Sequence, residues 1–155
     1  SNGGSGYVEV SEPSEPQVAS VESFGVDESL LEGPVFVLGS QDDLENASGS
    51  RVFFGYDRYD LSSSAQRILL GQAEWLLSYP SVDIVVEGHA DERGTREYNL
   101  ALGARRAEAT KSFLTALGVT ASRIRTISYG KERPELEGSY DSAWSRNRRS
   151  MSIIE

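Results

Sequence analysis

The densest patterning in the chain runs over residues 82–117. Val82, Ile84 and Val86 alternate with Asp83, Val85 and Glu87, the period-two pattern of a strand rich in β-branched residues. A polar, glycine-bearing stretch, residues 88–95, follows. Apolar and small residues then recur at three and four, which predicts a helix capped by Thr95 and opening at Arg96. Leu100, Leu102, Gly103, Ala104, Ala107, Phe113, Leu114 and Leu117 fill one broad arc of that helix. Arg105, Glu108, Lys111, Ser112 and Thr115 fill the other.

The rest of the chain reads around this unit. Residues 40–43 have capping-box spacing and predict a short helix to about Ala47, closed by Gly49. Residues 51–56 read as a strand with Val52, Phe54 and Tyr56 on one face, and residues 57–60 as the turn after it. Residues 63–78 read as a helix with Ala65, Ile68, Leu69, Gln72 and Leu76 along one stripe, stopped by Tyr79-Pro80. Residues 123–129 and 149–154 are the remaining strands, separated by a loop over 131–138 and a short helical segment over 140–147. The order β-α-β-α-β-(α)-β predicts an α+β sandwich of two main helices packed on one four-stranded mixed sheet.

Charge divides the chain in two. Residues 1–50 hold ten Asp or Glu and no Lys or Arg; residues 51–155 hold fourteen acids and fifteen bases. The acidity therefore belongs to the N-terminal part, and the patterned part is nearly neutral. Residues 1–33, rich in Ser, Gly, Glu and Pro with few large apolar side chains, read as a disordered, flexible acidic linker ahead of a domain over 34–155. Such a tether has an r.m.s. reach on the order of 30 Å. Within residues 33–38, Val35, Phe36, Val37 and Leu38 form an apolar patch able to dock on the domain. No basic stripe with interleaved aromatics is present, which argues against nucleic acid as a partner. There is no cysteine and no signal peptide, and no apolar run approaches the roughly 18 residues of a membrane helix.

One residue breaks the helix pattern. Arg106 falls inside the apolar arc with Asn99 beside it, and a guanidinium buried without partners costs several kcal/mol. It therefore calls for an anion, either a protein carboxylate or a ligand. If a ligand supplies it, removing Arg106 need not weaken the unliganded fold. Asp91, at the strand end just before the helix, can frame a pocket with Arg106, and two charges of opposite sign suit a zwitterion.

The motif EGHADERGTREYN followed by LGARRAEA resembles the signature of OmpA-like peptidoglycan-binding domains. With VFFGYDRYDL near position 52, ISYGKERP near 127 and NRR at 147–149, the pattern is similar to the peptidoglycan-associated lipoprotein (Pal) branch of that family, over roughly residues 40–155. The resemblance implies non-catalytic binding of peptidoglycan through the meso-diaminopimelate of its stem peptide. It assigns Asp57, Asp91 and Arg106 to the diaminopimelate arm, with Arg106 on its carboxylate and Asp91, helped by Asp57, on its ammonium. Tyr56, Gly94, Thr95, Asn99 and Leu102 would line the pocket, and backbone N–H groups over 94–96 could add carboxylate bonds. No metal or cofactor is implied. The resemblance further implies a place at the periplasmic face of the outer membrane, a lipid on an N-terminal cysteine that this chain lacks, and partnership with TolB in the Tol–Pal envelope system. On that reading the anchor has been removed, and residues 1–6 are an expression remnant or the start of a linker. A wall-binding module cut from a larger OmpA-type or flagellar-stator protein is a further reading.

A different class competes. His89, the chain's single histidine, stands two residues before Asp91, and the pair invites a wall hydrolase or amidase. No zinc-ligand spacing and no G-x-S-x-G nucleophile motif accompany it, so His89 reads as packing at the strand-to-loop junction. Asn99 has an alternative role bracing the Asp91 loop. Residues 147–149 read as a structural tie to acids such as Glu87, and Trp75 and Trp144 as packing residues outside any polar cluster.

Overall fold

The computed structural model describes Gly33 and residues 35–155. The linker expected over residues 1–33 therefore lies, apart from Gly33, outside the described residues. Helix α1 (Gln41–Ala47) opens at Ser40, whose hydroxyl accepts the Asp43 N–H at 3.2 Å. The reciprocal half of the capping box goes elsewhere. Ser40 N–H already donates to Val37 O, and the Asp43 carboxylate accepts from Gly39 N–H at 2.9 Å and from the Trp75 indole at 3.2 Å. The neighbouring apolar patch does not dock as a whole: Val37 and Leu38 are exposed, and only Phe36 is half-buried.

Strand β1 (Arg51–Phe53) is shorter than the pattern predicted. Phe54 N–H adds one more ladder bond, to Arg148 O, and the chain then turns with Arg58 N–H donating to Gly55 O. Val52 and Phe54 are buried as expected, but Tyr56 falls in the turn and is exposed. Helix α2 (Ser63–Ser78), capped by Ser62, follows and buries Ala65, Leu69, Gln72, Ala73, Trp75 and Leu76. Next come β2 (Ile84–His89), α3 (Arg96–Ala116), a single 3-10 turn (Ala121–Arg123), β3 (Ile124–Gly130), the short α4 (Asp141–Asn147) and β4 (Arg149–Ile154). The chain is thus an α+β fold with two main helices on one mixed sheet.

The strand order is β1-β4-β2-β3, with β4 antiparallel to both neighbours and β2 parallel to β3. β1 and β2 therefore run in the same direction although β4 separates them. The C-terminal ends of β1, β2 and β3 and the N-terminal end of β4 all lie at one end of the sheet. Everything that follows in the site depends on that coincidence.

Beneath the helices the core is built from Leu44, Val52, Leu69, Leu76, Ile84, Val86, Ala107 and Leu114. β4 contributes two serines to the same face, and each finds a hydroxyl or amide partner on a helix. Ser150 pairs with Thr110 at 2.7 Å and Ser152 donates to Gln72 Oε1 at 2.7 Å, so the polar layer is satisfied. α3 lies on β2 and β3, where Gly88 and Gly103 meet backbone to backbone.

Candidate functional site

At the shared end of the sheet two loops and the first turns of α3 enclose a pocket of about 170 Å³. The β1–α2 turn supplies Tyr56 and Asp57, and the β2–α3 loop supplies Asp91, Arg93 and Gly94. α3 supplies Tyr98, Asn99, Leu102 and Arg106. β1 and β2 are not adjacent, so Asp57 and Asp91 do not converge as ends of neighbouring strands. The two carboxylates share the pocket because the strands are co-directional across β4, whose first residues fill the gap between them. Arg148 marks that gap: its Nε donates to Phe54 O at 2.8 Å and its Nη1 lies 3.5 Å from Asp91 Oδ2.

Arg106 is fully buried, as its place in the helix pattern required, but its partners are not carboxylates. Nε donates to Arg58 O (2.8 Å), Nη1 to His89 O (2.8 Å) and Nη2 to Gly55 O (3.1 Å). The choice between a protein carboxylate and a ligand was therefore too narrow. Backbone carbonyls at the ends of two strands also satisfy a guanidinium, whose five donors fit several acceptors at once. Three of the five are taken in this way. Burial, followed by repulsion from Arg148, pushes the Arg106 pKa down to about 10, against the attraction of Asp91 and Asp57. It stays protonated at neutral pH.

Asp91 is also engaged from within. Oδ1 accepts from Arg93 N–H (3.0 Å) and Nε (3.1 Å), and Oδ2 from Arg93 Nη2 (2.8 Å). Burial raises the carboxyl pKa, but the Arg93 hydrogen bonds and the charges of Arg93 and Arg148 outweigh it and hold Asp91 below its ordinary value. The Arg93 guanidinium in turn packs against Tyr56 (4.2 Å to the ring centroid) and Trp144 (4.0 Å). Trp144 thus belongs to a polar cluster, correcting its reading as a packing residue. Its indole also donates to Glu92 at 2.9 Å.

The remaining site residues divide by what their polar atoms touch. Asp57, the one described non-glycine residue with a positive φ (57°), accepts a hydrogen bond from Tyr98 OH and so ties the β1–α2 turn to α3. Asn99 donates to Arg93 O at 2.9 Å and braces the loop, while Gly94 turns that loop at φ 98°. Thr95 lies outside the pocket lining because its hydroxyl caps α3, accepting Tyr98 N–H at 3.1 Å. Arg93 and Tyr98 went unnoticed in the sequence. Both occupy positions that the helix and loop patterns class as solvated; Asp91 lies beside Arg93 in its own loop, but Tyr56 and Trp144 reach Arg93, and Asp57 reaches Tyr98, only through the fold.

His89 does not join the pocket. It is buried, with Nε2 3.0 Å from Glu87 Oε1, the ring stacked on Tyr129, and Nδ1 without a partner. Burial holds the imidazole below its ordinary pKa, against the Glu87 hydrogen bond. Asp91 faces Arg93 instead, so no His–Asp acid–base pair forms. Because Glu87 is taken by His89, the ion pair of Arg149 is with Glu135 (3.4 Å) and that of Arg148 with Asp91, not with Glu87. Among the described residues no group of three or more His, Asp or Glu is placed to hold a metal, and no helix is long and apolar enough to cross a membrane.

Residues 53–148 match the OmpA family. The chain is 55% identical over 116 residues to the peptidoglycan-associated lipoprotein of Agrobacterium fabrum, covering 75% of this chain and 66% of that protein. It thus spans slightly under two thirds of that relative's length. With the peptidoglycan-associated lipoprotein of Pasteurella multocida it shares 42% identity over 134 residues, 86% of this chain and 87% of that protein. The crystal structure of the peptidoglycan-associated lipoprotein from Burkholderia pseudomallei superposes with a TM-score of 0.67 at 40% identity, covering 68% of this chain and 90% of that one.

Proposed function

We propose, from the premise that the chain belongs to the OmpA family and groups with its peptidoglycan-associated lipoproteins, that it binds peptidoglycan without cleaving it and tethers the outer membrane to the wall. The observation that carries this reading is the pocket itself. Asp57, Asp91 and Arg106 come from three separate segments and line one small cavity holding both signs of charge. Such a cavity suits a side arm ending in ammonium and carboxylate together, the terminus of meso-diaminopimelate.

In this reading Arg106 supplies charge and its two remaining N–H groups to the carboxylate of the arm. Asp57, exposed at the mouth, and the unused lone-pair positions of Asp91 take the ammonium. Tyr56, Asn99, Leu102 and Gly94 shape the walls, and Thr95 contributes by capping the helix whose first N–H groups lie beside Gly94. Partnership with TolB in the Tol–Pal system, a lipid anchor on the native chain and a place at the periplasmic face of the outer membrane belong to the same proposal and rest on the family. The hydrolase alternative loses its footing because His89 is buried away from the pocket.

Purified sacculi separate the two classes. The protein is expected to co-sediment with diaminopimelate-containing sacculi and to release no soluble muropeptides on prolonged incubation. Release of fragments that grows with time and enzyme concentration would contradict the binding-only reading.

A further inference from the structure

Arg93 stands out as a charged pocket residue to which the zwitterionic arm gives no task. Its guanidinium presents the Nε/Nη2 edge to Asp91 and has further N–H groups on Nη1 and Nη2. Its side chain is a third exposed, whereas that of Arg106 is fully buried. Contacts with the Tyr56 and Trp144 rings and the hydrogen bonds to Asp91 hold it in one orientation, so it is ordered before any ligand arrives.

Charge balance points the same way. Asp57 and Asp91 face Arg93 and Arg106 in the lining, and Arg148 adds a third guanidinium through its contact with Asp91. Two carboxylates against three guanidiniums leave one positive charge. Asp141 and Glu92, the other carboxylates near Arg93, are exposed and make no ion pair with it, so solvent screens their effect. A zwitterionic arm brings no net charge and leaves the excess in place.

We propose that Arg93 binds a second carboxylate of the same peptide, beside the zwitterionic arm, and makes the pocket selective for stems in which that group is free rather than amidated. The inference rests on the peptide-binding reading above. Two groups have this chemistry on a tripeptide stem: the α-carboxylate of the D-glutamyl residue and the main-chain carboxylate of the diaminopimelate. A bidentate, charge-assisted contact from the remaining Nη1/Nη2 edge of Arg93 to either acid is lost when that acid becomes a carboxamide.

Titration calorimetry with L-alanyl-γ-D-glutamyl-meso-diaminopimelate and its two monoamides at those positions tests this. The wild-type protein is expected to bind one monoamide about ten- to a hundredfold more weakly than the triacid, and which one identifies the group. Arg93→Gln should bind the triacid and that monoamide alike. Arg93→Lys, which keeps the charge without the fork, should show a reduced difference and serves if Arg93→Gln does not fold. Equal wild-type affinities for all three peptides would overturn the assignment while leaving the peptide pocket standing. So would a preference undiminished in the Arg93 variants. Absence of wild-type binding to the triacid would instead overturn the peptide reading, and this inference with it.

Discussion

Replacing Arg106 by alanine is expected to remove peptide binding and to destabilise the unliganded fold. Its three hydrogen bonds join Gly55 and Arg58 of the β1–α2 turn to His89 at the end of β2, with α3 as the common support. An unsatisfied buried polar group costs about 1–3 kcal/mol, and the substitution strands up to two carbonyls, those of Arg58 and His89, because Gly55 O keeps the Arg58 N–H. Relief from burying a charge returns part of that loss, leaving a net destabilisation of about 2–4 kcal/mol and a fall in Tm on the order of 10 °C. Arg106→Lys keeps the charge but cannot span three acceptors, so it should fall between. An alanine variant that melts like wild type yet fails to bind would show that the ligand alone explains the arginine, one of the two sources of an anion that the helix pattern left open.

A larger loss is expected from Gly88→Ala. A Cβ at Gly88 would lie 1.7 Å from Gly103 O and 2.6 Å from Gly103 C, which are backbone atoms with no rotamer to escape into. α3 would have to lift from β2, and with it the support of the pocket. Overpacking a core costs about 1–3 kcal/mol and more when backbone must move, so Gly88→Ala should lose upward of about 3 kcal/mol or fail to fold. Gly103→Ala is the informative partner. Helix propensity favours alanine by about 1 kcal/mol, but its Cβ would meet Ser128 Oγ at 2.3 Å and Gly88 O at 2.8 Å, so the clash decides the sign. Gly71→Ala in α2, whose Cβ would meet Ser48 Cβ at 3.0 Å and Ser48 Cα at 3.9 Å, should be close to neutral, the gain in helix propensity offsetting the tight contact. Chemical denaturation of the three variants ranks them; a stable Gly88→Ala protein would mean that α3 does not sit so close to β2.

The elements themselves were legible where the pattern was regular. Residues 63–78 read as an amphipathic helix and match α2, and β4 matches its expected bounds because its alternation persists. β1 was read too long because Phe54-Gly55-Tyr56 continues the alternation after the hydrogen bonding has already turned. In α3 the apolar arc and the buried face only partly coincide. Ala104 is exposed, whereas Asn99, Arg106 and Thr110 are buried, because a carbonyl of the preceding loop satisfies Asn99 and carbonyls and a hydroxyl from distant segments satisfy the other two. Strand order was illegible for the same reason. No local pattern states that β4 inserts between β1 and β2, yet that insertion brings Arg148 to Asp91. Arg106 and Asp91 were singled out from the helix pattern and the strand end, whereas the pocket residues Asp57 and Leu102, and the pocket role of Asn99, came through the family resemblance. Arg93 and Trp144 were missed because a cation and an indole paired across 51 positions leave no local trace.

Selectivity between matched stem peptides ending in meso-diaminopimelate and in lysine, measured by titration calorimetry, tests the central claim most directly. Lysine offers the ammonium alone and would leave the positive charge of Arg106 without its anion. Loss of a charged hydrogen-bonding partner in a buried site costs about 1.5–3 kcal/mol, so the diaminopimelate peptide should bind about ten- to a hundredfold more tightly. Equal affinities for the two peptides would contradict the account of a pocket that reads both ends of a zwitterion.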